Sequence, residues 1–377
     1  MRVLHLHSGN LYGGVETMLL ALARERGAVP DMAPVFTLCF EGRLAGALRL
    51  VGSEPEVLGP VRLSRPHTVW RARRSLAAYL RQQAFDVAVC HQAWPYAIFD
   101  PTLRHAGLPR VLWQHTVSDG RRWLDRWASS HAPDLLVCNS QFTARAQAPQ
   151  FPGTPCEWVH PPLSLNAVPA LDRDRREQIR SQWQTPLGHV VVVQVGRFEP
   201  LKGHLTALQA LATLRHLGDW TYWIVGGPQR PSDARYLREL GAAADRLGLA
   251  GRIRFLGERD DVPLLLGAAD VYCQPNVQPE AFGLALVEAL DAGLPVVTSG
   301  IGGACEIVDA SCGILTPPGD SEAVARALRA VIADADLRAR LGAAARHRPA
   351  ALCHPPRQMQ RIREILSSVV GAPARVG

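Results

Sequence analysis

The chain has 377 residues, 47% hydrophobic and 20% charged, a balance that provides packed cores and excludes a disordered chain. At roughly 150 residues per domain the length fits two to three domains. The net charge of +7, almost wholly arginine in origin, suits partners that carry phosphates but does not choose among nucleotides, nucleic acid and anionic lipid.

No apolar run approaches the roughly 20 residues that span a bilayer. His5, His7 and Asn10 interrupt the first apolar stretch before it reaches signal-peptide length. The expected location is therefore cytoplasmic. The eight cysteines show no C-x-x-C spacing, and Cys39, Cys90, Cys138 and Cys273 end or interrupt apolar runs. They read as buried free thiols rather than a metal or disulfide framework.

In chain order, Val3–His7 predicts a strand, followed by a glycine turn and a helix from about Val15 to Arg26. Val35–Phe40 predicts the next strand, Val69–Gln83 a long helix, and Val87–Cys90, Val111–His115 and Leu135–Asn139 three more strands. Val87–Cys90 and Leu135–Cys138 are continuous apolar runs, the pattern of strands covered on both faces. The rhythm then breaks at His160-Pro161-Pro162, prolines continue to Pro169, and Asp172–Gln184 is polar and charged. It restarts with a strand at Val190–Val195, a helix over Leu205–Leu217, a strand at Thr221–Val225 and a helix over Asp233–Leu247. Strands at Ile253–Leu256 and Val271–Gln274 follow, then a helix from about Gly283 to Asp291 and a strand at Val296–Thr298.

This alternation predicts an α/β chain of two Rossmann-like βαβ domains facing across a deep cleft, with ligands at the carboxyl ends of both sheets. The first domain is expected at 1–165 and the second at 166–354. A C-terminal helix of about 355–377 is expected to pack back on the first.

Three segments carry candidate chemistry. Between the first strand and helix, Gly9-Asn-Leu-Tyr-Gly-Gly-Val-Glu-Thr17 holds Gly13 and Gly14. Glycine permits close backbone approach and positive φ, and the following helix offers N–H groups to an anion. The spacing is not G-x-G-x-x-G, so the dinucleotide fingerprint is missing, and the turn alone is equally well structural.

The second segment, Gly196-Arg197-Phe-Glu-Pro-Leu-Lys202-Gly203, follows the first strand of the second domain. Arginine can clamp phosphate oxygens in bidentate fashion and lysine adds a point charge, so the loop suits a diphosphate. It is not a Walker A loop. A solvated basic loop is the plainer alternative.

The third segment is Pro275–Ser299, with Glu280-Ala-Phe-Gly-Leu-Ala-Leu-Val-Glu288 at its centre. Glu280 falls in the loop before a helix and Glu288 on that helix's second turn. Phe282, Gly283 and Leu284 would present amides to an anion at the helix N-terminus. The two carboxylates could grip hydroxyls on either side of it. Taken alone, an ordinary first-turn acid and a surface glutamate explain the pair as well. Together the three segments describe a ligand with hydroxyls, a diphosphate and more hydroxyls: a nucleoside-diphosphate sugar.

At this point the chain resembles the family 4 retaining glycosyltransferases with the GT-B fold, over essentially its full length. The carriers are Gly13-Gly14-Val-Glu16, Gly196-Arg197-x4-Lys202-Gly203, the E-x7-E element Glu280/Glu288, Gly293-Leu-Pro-Val-Val297, Gly302-Gly303-x2-Glu306 and Pro317-Pro-Gly-Asp320. The resemblance implies that Arg197 and Lys202 hold the diphosphate, that Glu280 meets the donor sugar and that Glu288 binds the ribose. It implies that Phe282, Gly283 and Leu284 meet sugar and phosphates through amides. The strand segment of Arg254, Phe255 and Leu256 would receive the nucleobase. A first-domain histidine would reach the reacting sugar; His115 is the match, although His91 and His160 also end apolar runs. The donor-side residues are thus Gly13, Gly14, Gly196, Phe255, Leu256, Phe282, Gly283, Leu284 and Glu288, and the catalytic ones Arg197, Lys202, Glu280 and His115.

The resemblance further implies transfer with retention to a glycan, lipid-linked or small-molecule hydroxyl in bacterial surface-glycan or glycoconjugate synthesis. No cofactor is expected beyond the nucleotide-sugar co-substrate. No metal is expected either: the D-x-D strings Asp172/Asp174 and Asp334/Asp336 lie in polar, helix-flanking segments. Arg71, Arg74 and Arg81 share one helix face, with Val69, Ala72, Leu76 and Leu80 on another. With Arg62, Arg65, Arg121, Arg122 and Arg126 they make a basic first domain that is either a solvated face or a peripheral contact with anionic lipid. No nucleic-acid motif accompanies the charge, and no nucleic-acid partner is expected. Alternatives are a nucleotide-sugar 2-epimerase of the same fold and a non-catalytic nucleotide-sugar binding protein.

Overall fold

The computed structural model describes residues 1–163 and 171–371. The expected junction at 165/166 and the last residues of the 355–377 segment lie outside that range. The chain divides into two compact units, Met1–Ser164 with Cys353–Gly377, and Leu165–Leu352.

The first unit alternates β1 (Arg2–His7), α1 (Gly14–Arg24), β2 (Ala33–Leu38), α2 (Arg43–Leu50), β3 (Glu56–Val57) and α3 (Pro66–Gln82). It continues with β4 (Val87–His91), α4 (Ala93–His105), β5 (Arg110–Gln114), α5 (Trp123–Ser129), β6 (Leu135–Cys138), α6 (Gln141–Gln147) and β7 (Cys156–Trp158). Among the described residues its strands form one parallel sheet in the order β3-β2-β1-β4-β5-β6-β7. Alternate residues face two separate cores. Val3, Val87 and Val89 pack with Met18 and Leu22 of α1, whereas Leu4, Leu6, Ala88 and Cys90 pack with Leu76 of α3 and Phe99 of α4.

The second unit opens with α7 (Arg173–Gln182), β8 (Val190–Val195), α8 (His204–Thr213), β9 (Trp220–Val225), α9 (Pro231–Arg246) and β10 (Ile253–Gly257). Then come α10 (Val262–Ala268), β11 (Val271–Gln274), α11 (Leu284–Asp291), β12 (Val296–Ser299), α12 (Ala304–Ile307), β13 (Gly313–Thr316), α13 (Ser321–Ala333), α14 (Ala335–Ala345) and α15 (Arg348–Cys353). Its described strands are again parallel, in the order β10-β9-β8-β11-β12-β13. A final helix, α16 (Pro355–Ser367), belongs to the first unit: Met359, Ile362, Ile365 and Leu366 are buried against the same core as Val3 and Met18.

The two units therefore have the same doubly wound plan, the GT-B fold. Most boundaries shift by a residue or two from the expected ones, but α3 starts three residues before Val69 and α8 ends four residues before Leu217; α1 ends at Arg24 because residues 25–28 tighten into a 3₁₀ turn. Among the described residues no helix is long and apolar enough to cross a membrane.

Candidate functional site

In the second sheet β8 and β11 are hydrogen-bonded neighbours, Val192 opposite Val271, although two strands separate them in sequence. The chain leaves them toward opposite sides, so this is the topological switch point, where α/β sheets bind ligands beyond the strands' carboxyl ends. The loop after β8 is Gly196–Gly203, and the loop after β11 is Pro275–Gly283. The Val277 N–H donates to the Leu201 carbonyl at 2.9 Å. Gly203 has φ +71°, and a Cβ there would lie 1.8 Å from the Pro275 carbonyl oxygen. Only glycine permits that approach.

The approach delivers Lys202 to Glu280. Its ammonium bonds Glu280 Oε1, while Oε2 accepts from Gln274 Nε2 at 3.1 Å and Asn276 Nδ2 at 3.2 Å. Burial works against the Glu280 charge, but the Lys202 charge and these hydrogen bonds outweigh it and hold the carboxyl below its ordinary range. The amides are themselves oriented. The Glu280 carboxylate can only accept, so the Gln274 nitrogen faces it and Gln274 Oε1 takes the Tyr272 hydroxyl at 2.9 Å. Gln194 Nε2 donates to the Lys202 carbonyl at 2.8 Å. From the other side Gly302, with φ +71°, lets its loop pass the Glu280 backbone, and the Gly303 N–H donates to the Glu280 carbonyl at 2.9 Å.

Glu288 lies on the second turn of α11 and is half-buried. Burial, with Asp291 adding like-charge repulsion, pushes its carboxyl up to about 7. Gly283, in left-handed conformation, caps α11, Leu284 is its first residue and the Phe282 side chain is buried. The helix N-terminus thus points its first-turn N–H groups and positive dipole end into the loop that holds Glu280. Arg197 is more exposed, its Nη1 3.2 Å from Glu199 Oε1. Gly196 leaves β8 with no atom closer than 3.8 Å to where a Cβ would stand.

On β10, Leu256 is buried while Phe255 is 38% exposed at the sheet edge. In the first unit Gly13 caps α1 in extended conformation (φ −172°) and Gly14 is the helix's first residue. Within this glycine turn the positive φ falls at Gly9, with φ +78°. The Glu16 carboxylate of α1 bonds His7 Nε2 at 2.7 Å.

His115 follows β5 and is buried. Its Nε2 lies 2.8 Å from His91 Nδ1, and Asn139 Nδ2 lies 2.9 Å from its Nδ1. His91 and His115 are therefore one hydrogen-bonded unit rather than competing candidates. His160 instead sits against Trp158, the two rings 5.0 Å apart and tilted by 49°. Both D-x-D strings are helix starts: Asp172 accepts from the Arg175 N–H and Asp334 from the Leu337 N–H, each followed by a first-turn aspartate. Asp320 of the Pro-Pro-Gly-Asp element caps α13 in the same way.

Gln274 and Asn276 are site residues that the sequence reading missed. The available signal was a pair of amides at the end of an otherwise apolar strand.

Residues 12–166 match the family described as Glycosyltransferase Family 4, and residues 175–348 that described as Glycosyl transferases group 1. The chain belongs to the family 4 GT-B glycosyltransferases. It is similar to the D-inositol 3-phosphate glycosyltransferase of Salinispora tropica, 35% identical over 226 residues, 55% of this chain and 45% of that one. The lipopolysaccharide glucosyltransferase WaaG of Escherichia coli is 36% identical over 160 residues, 42% of this chain and 41% of WaaG. The alignments with these two relatives span less than half of their length. Among solved structures, Anabaena HepE in complex with UDP-glucose superposes with a TM-score of 0.86 at 25% identity, covering 98% of this chain and all of HepE. The WaaG structure gives 0.73 at 21%, over 99% and 100%.

Proposed function

We propose that this glycosyltransferase moves a sugar from a nucleoside-diphosphate sugar to an acceptor hydroxyl, with retention and without a metal ion. The observation that carries the reading is the Lys202–Glu280 pair at the second unit's switch point, flanked by Arg197 and the N-terminus of α11. Cations and a helix N-terminus match a diphosphate, and a carboxylate beside them matches sugar hydroxyls. The UDP-glucose bound to the structurally similar HepE supports a nucleotide-sugar donor.

The acceptor oxygen attacks the anomeric carbon from the face that the diphosphate leaves. The bond from that carbon to the phosphate oxygen breaks, and the leaving oxygen takes the acceptor's proton. Arg197, Lys202 and the α11 amides stabilise the charge that grows on the diphosphate, which is electrostatic catalysis. Glu280 orients the sugar and Glu288 the ribose, and His115 is assigned a contact with the sugar. No carboxylate has to act as a covalent nucleophile, in contrast to a retaining glycosidase.

A thermal-shift screen with UDP, GDP, ADP and their sugars tests the reading. A ligand at 100 times its dissociation constant adds about 2.7 kcal/mol to the stability. Failure of every nucleotide to shift the melting temperature overturns it. Incubation with donor alone separates transfer from the epimerase alternative, which would invert a sugar carbon without an acceptor.

The acceptor is expected on a glycan, a lipid carrier or a small molecule. Trp70 on α3, 62% exposed with Arg74 stacked on it, and Trp123 on α5, 56% exposed beside Arg122 and Arg126, support peripheral contact with anionic lipid. Co-sedimentation with phosphatidylglycerol vesicles, absent with phosphatidylcholine, is the expected result; equal recovery with both contradicts it.

A further inference from the structure

Neighbouring strands of the first sheet place four polar side chains in one line. They are His5 on β1, His91 at the end of β4, His115 just after β5 and Asn139 just after β6. All four are buried, His91 completely. Trp113 closes the line: its Nε1 lies 2.8 Å from Asn139 Oδ1.

An indole N–H can only donate, so the Asn139 atom that faces it is the carbonyl oxygen, and the amide has one allowed orientation. Asn139 Nδ2 must then donate to His115 Nδ1. A neutral imidazole that accepts at Nδ1 carries its proton on Nε2, which donates to His91 Nδ1. By the same rule His91 Nε2 donates to His5 Nδ1, at 2.9 Å. One donor that cannot reverse therefore sets the direction of the whole chain.

We propose that Trp113, Asn139 and His91 are positioning residues that hold His115 as its Nε2–H tautomer, in a hydrogen-bond chain polarised from Trp113 to His5. The consequence for transfer rests on the reading of His115 as the histidine that meets the sugar: the ring does so neutral, with both nitrogens already engaged by Asn139 and His91 and no N–H left over for a sugar hydroxyl. The ring is also clamped in orientation, stacked against Trp113 at 5.8 Å and 11° and against His91 at 5.0 Å and 26°. Gln92, next to His91, holds φ +80°, a costly conformation for a residue with a Cβ and one that functional sites tend to retain. Burial, helped by the neighbouring histidines, lowers the pKa of His91 well below the ordinary value and that of His115 to about 3; burial alone brings His5 to about 3. His7 lies edge-on to His91 at 6.4 Å and is itself bonded to Glu16.

Two-bond ¹⁵N–¹H correlation of the imidazole rings in the full chain at neutral pH reads the tautomers directly. The expected result is the proton on Nε2 in His5, His91 and His115. In Asn139→Asp both side-chain oxygens accept, one from Trp113 and one from His115, so His115 must donate from Nδ1 and all three rings should switch to Nδ1–H. Trp113→Phe removes the anchor and should leave a mixture. A Nδ1–H ring at His115 in the unaltered chain, or an Asn139→Asp variant that keeps Nε2–H, overturns the proposal; if that variant does not fold, the unaltered and Trp113→Phe spectra decide. Addition of UDP-glucose tests the underlying reading separately. Ring signals of His115 that do not move, with the Nε2–H tautomer intact, refute its sugar contact and leave the chain's polarity standing.

Discussion

Lys202 and Glu280 stand 78 residues apart in sequence and form an ion pair at the end of the second sheet, each more than three-quarters shielded from solvent. Lys202 is also the only lysine in the chain. The group assigned to the diphosphate and the group assigned to the sugar thus touch before any ligand arrives. Lys202→Ala should therefore do two things. Transfer should fall by about 10²–10³, the cost of losing one charge-stabilising donor. Stability should also fall, by about 2 kcal/mol, because the Glu280 carboxylate loses its cation. Lys202→Met combined with Glu280→Gln should recover the melting temperature but not the activity; Arg197→Ala should lose activity at unchanged melting temperature. A Lys202→Ala variant with near-normal turnover would place the diphosphate elsewhere.

Glu288 makes the stability of the ligand-free chain depend on pH. Its carboxyl is raised in the fold from the ordinary 4.5 to about 7. Between those values the folded chain holds a proton that the unfolded chain has lost, so stability falls as pH rises through this window and levels off above it. Melting curves from pH 4.5 to 8 should show the decline, and Glu288→Gln should flatten it by an amount on the order of 3 kcal/mol. Equal slopes for the two proteins would show that Glu288 ionises normally.

Chelation should leave transfer intact. Arg197, Lys202 and the α11 N-terminus supply the positive field that a divalent ion would otherwise provide, and both D-x-D strings are engaged as helix caps. Assays in EDTA check this directly. Loss of activity restored by Mg²⁺ or Mn²⁺ would contradict it.

Gly203→Ala should inactivate a chain that still folds. A methyl group 1.8 Å from the Pro275 carbonyl oxygen forces the Lys202 loop off the Pro275–Glu280 loop. Nucleotide-induced thermal shift should shrink together with the rate. An unimpaired variant would mean that the contact between these loops does not position Lys202.

The alternation of apolar runs with helical stretches was enough to read two doubly wound units, and spacing was enough to pick out Arg197, Lys202, Glu280 and Glu288. What made them one site was not in the local pattern. β8 and β11 are neighbours only because the chain reverses at the switch point, and strand order is a long-range property. Gln274 and Asn276 were passed over for the same reason, since their task is set by Glu280 across the loop. The helix α7 escaped because it has almost no apolar stripe. Ile179 is its one buried residue, and Arg176 and Arg180 fasten it through Asp270 at 2.7 and 2.6 Å. The histidine line was equally hidden, because its members come from four strands whose adjacency only the sheet reveals.

The division of labour between the two carboxylates is the centre of this account, and calorimetric titration of UDP into Glu280→Gln and Glu288→Gln tests it most directly. UDP has a ribose but no transferred sugar. Glu288→Gln should therefore weaken UDP roughly tenfold, the scale of a lost hydrogen bond to a charged group. Glu280→Gln should leave UDP affinity unchanged or slightly improved, because Lys202 no longer shares its charge with a carboxylate, while its turnover with a UDP-sugar collapses. Equal loss of UDP affinity in both variants, with melting temperatures preserved, would contradict the placement of the sugar at Glu280, before α11, and the ribose at Glu288, on its second turn.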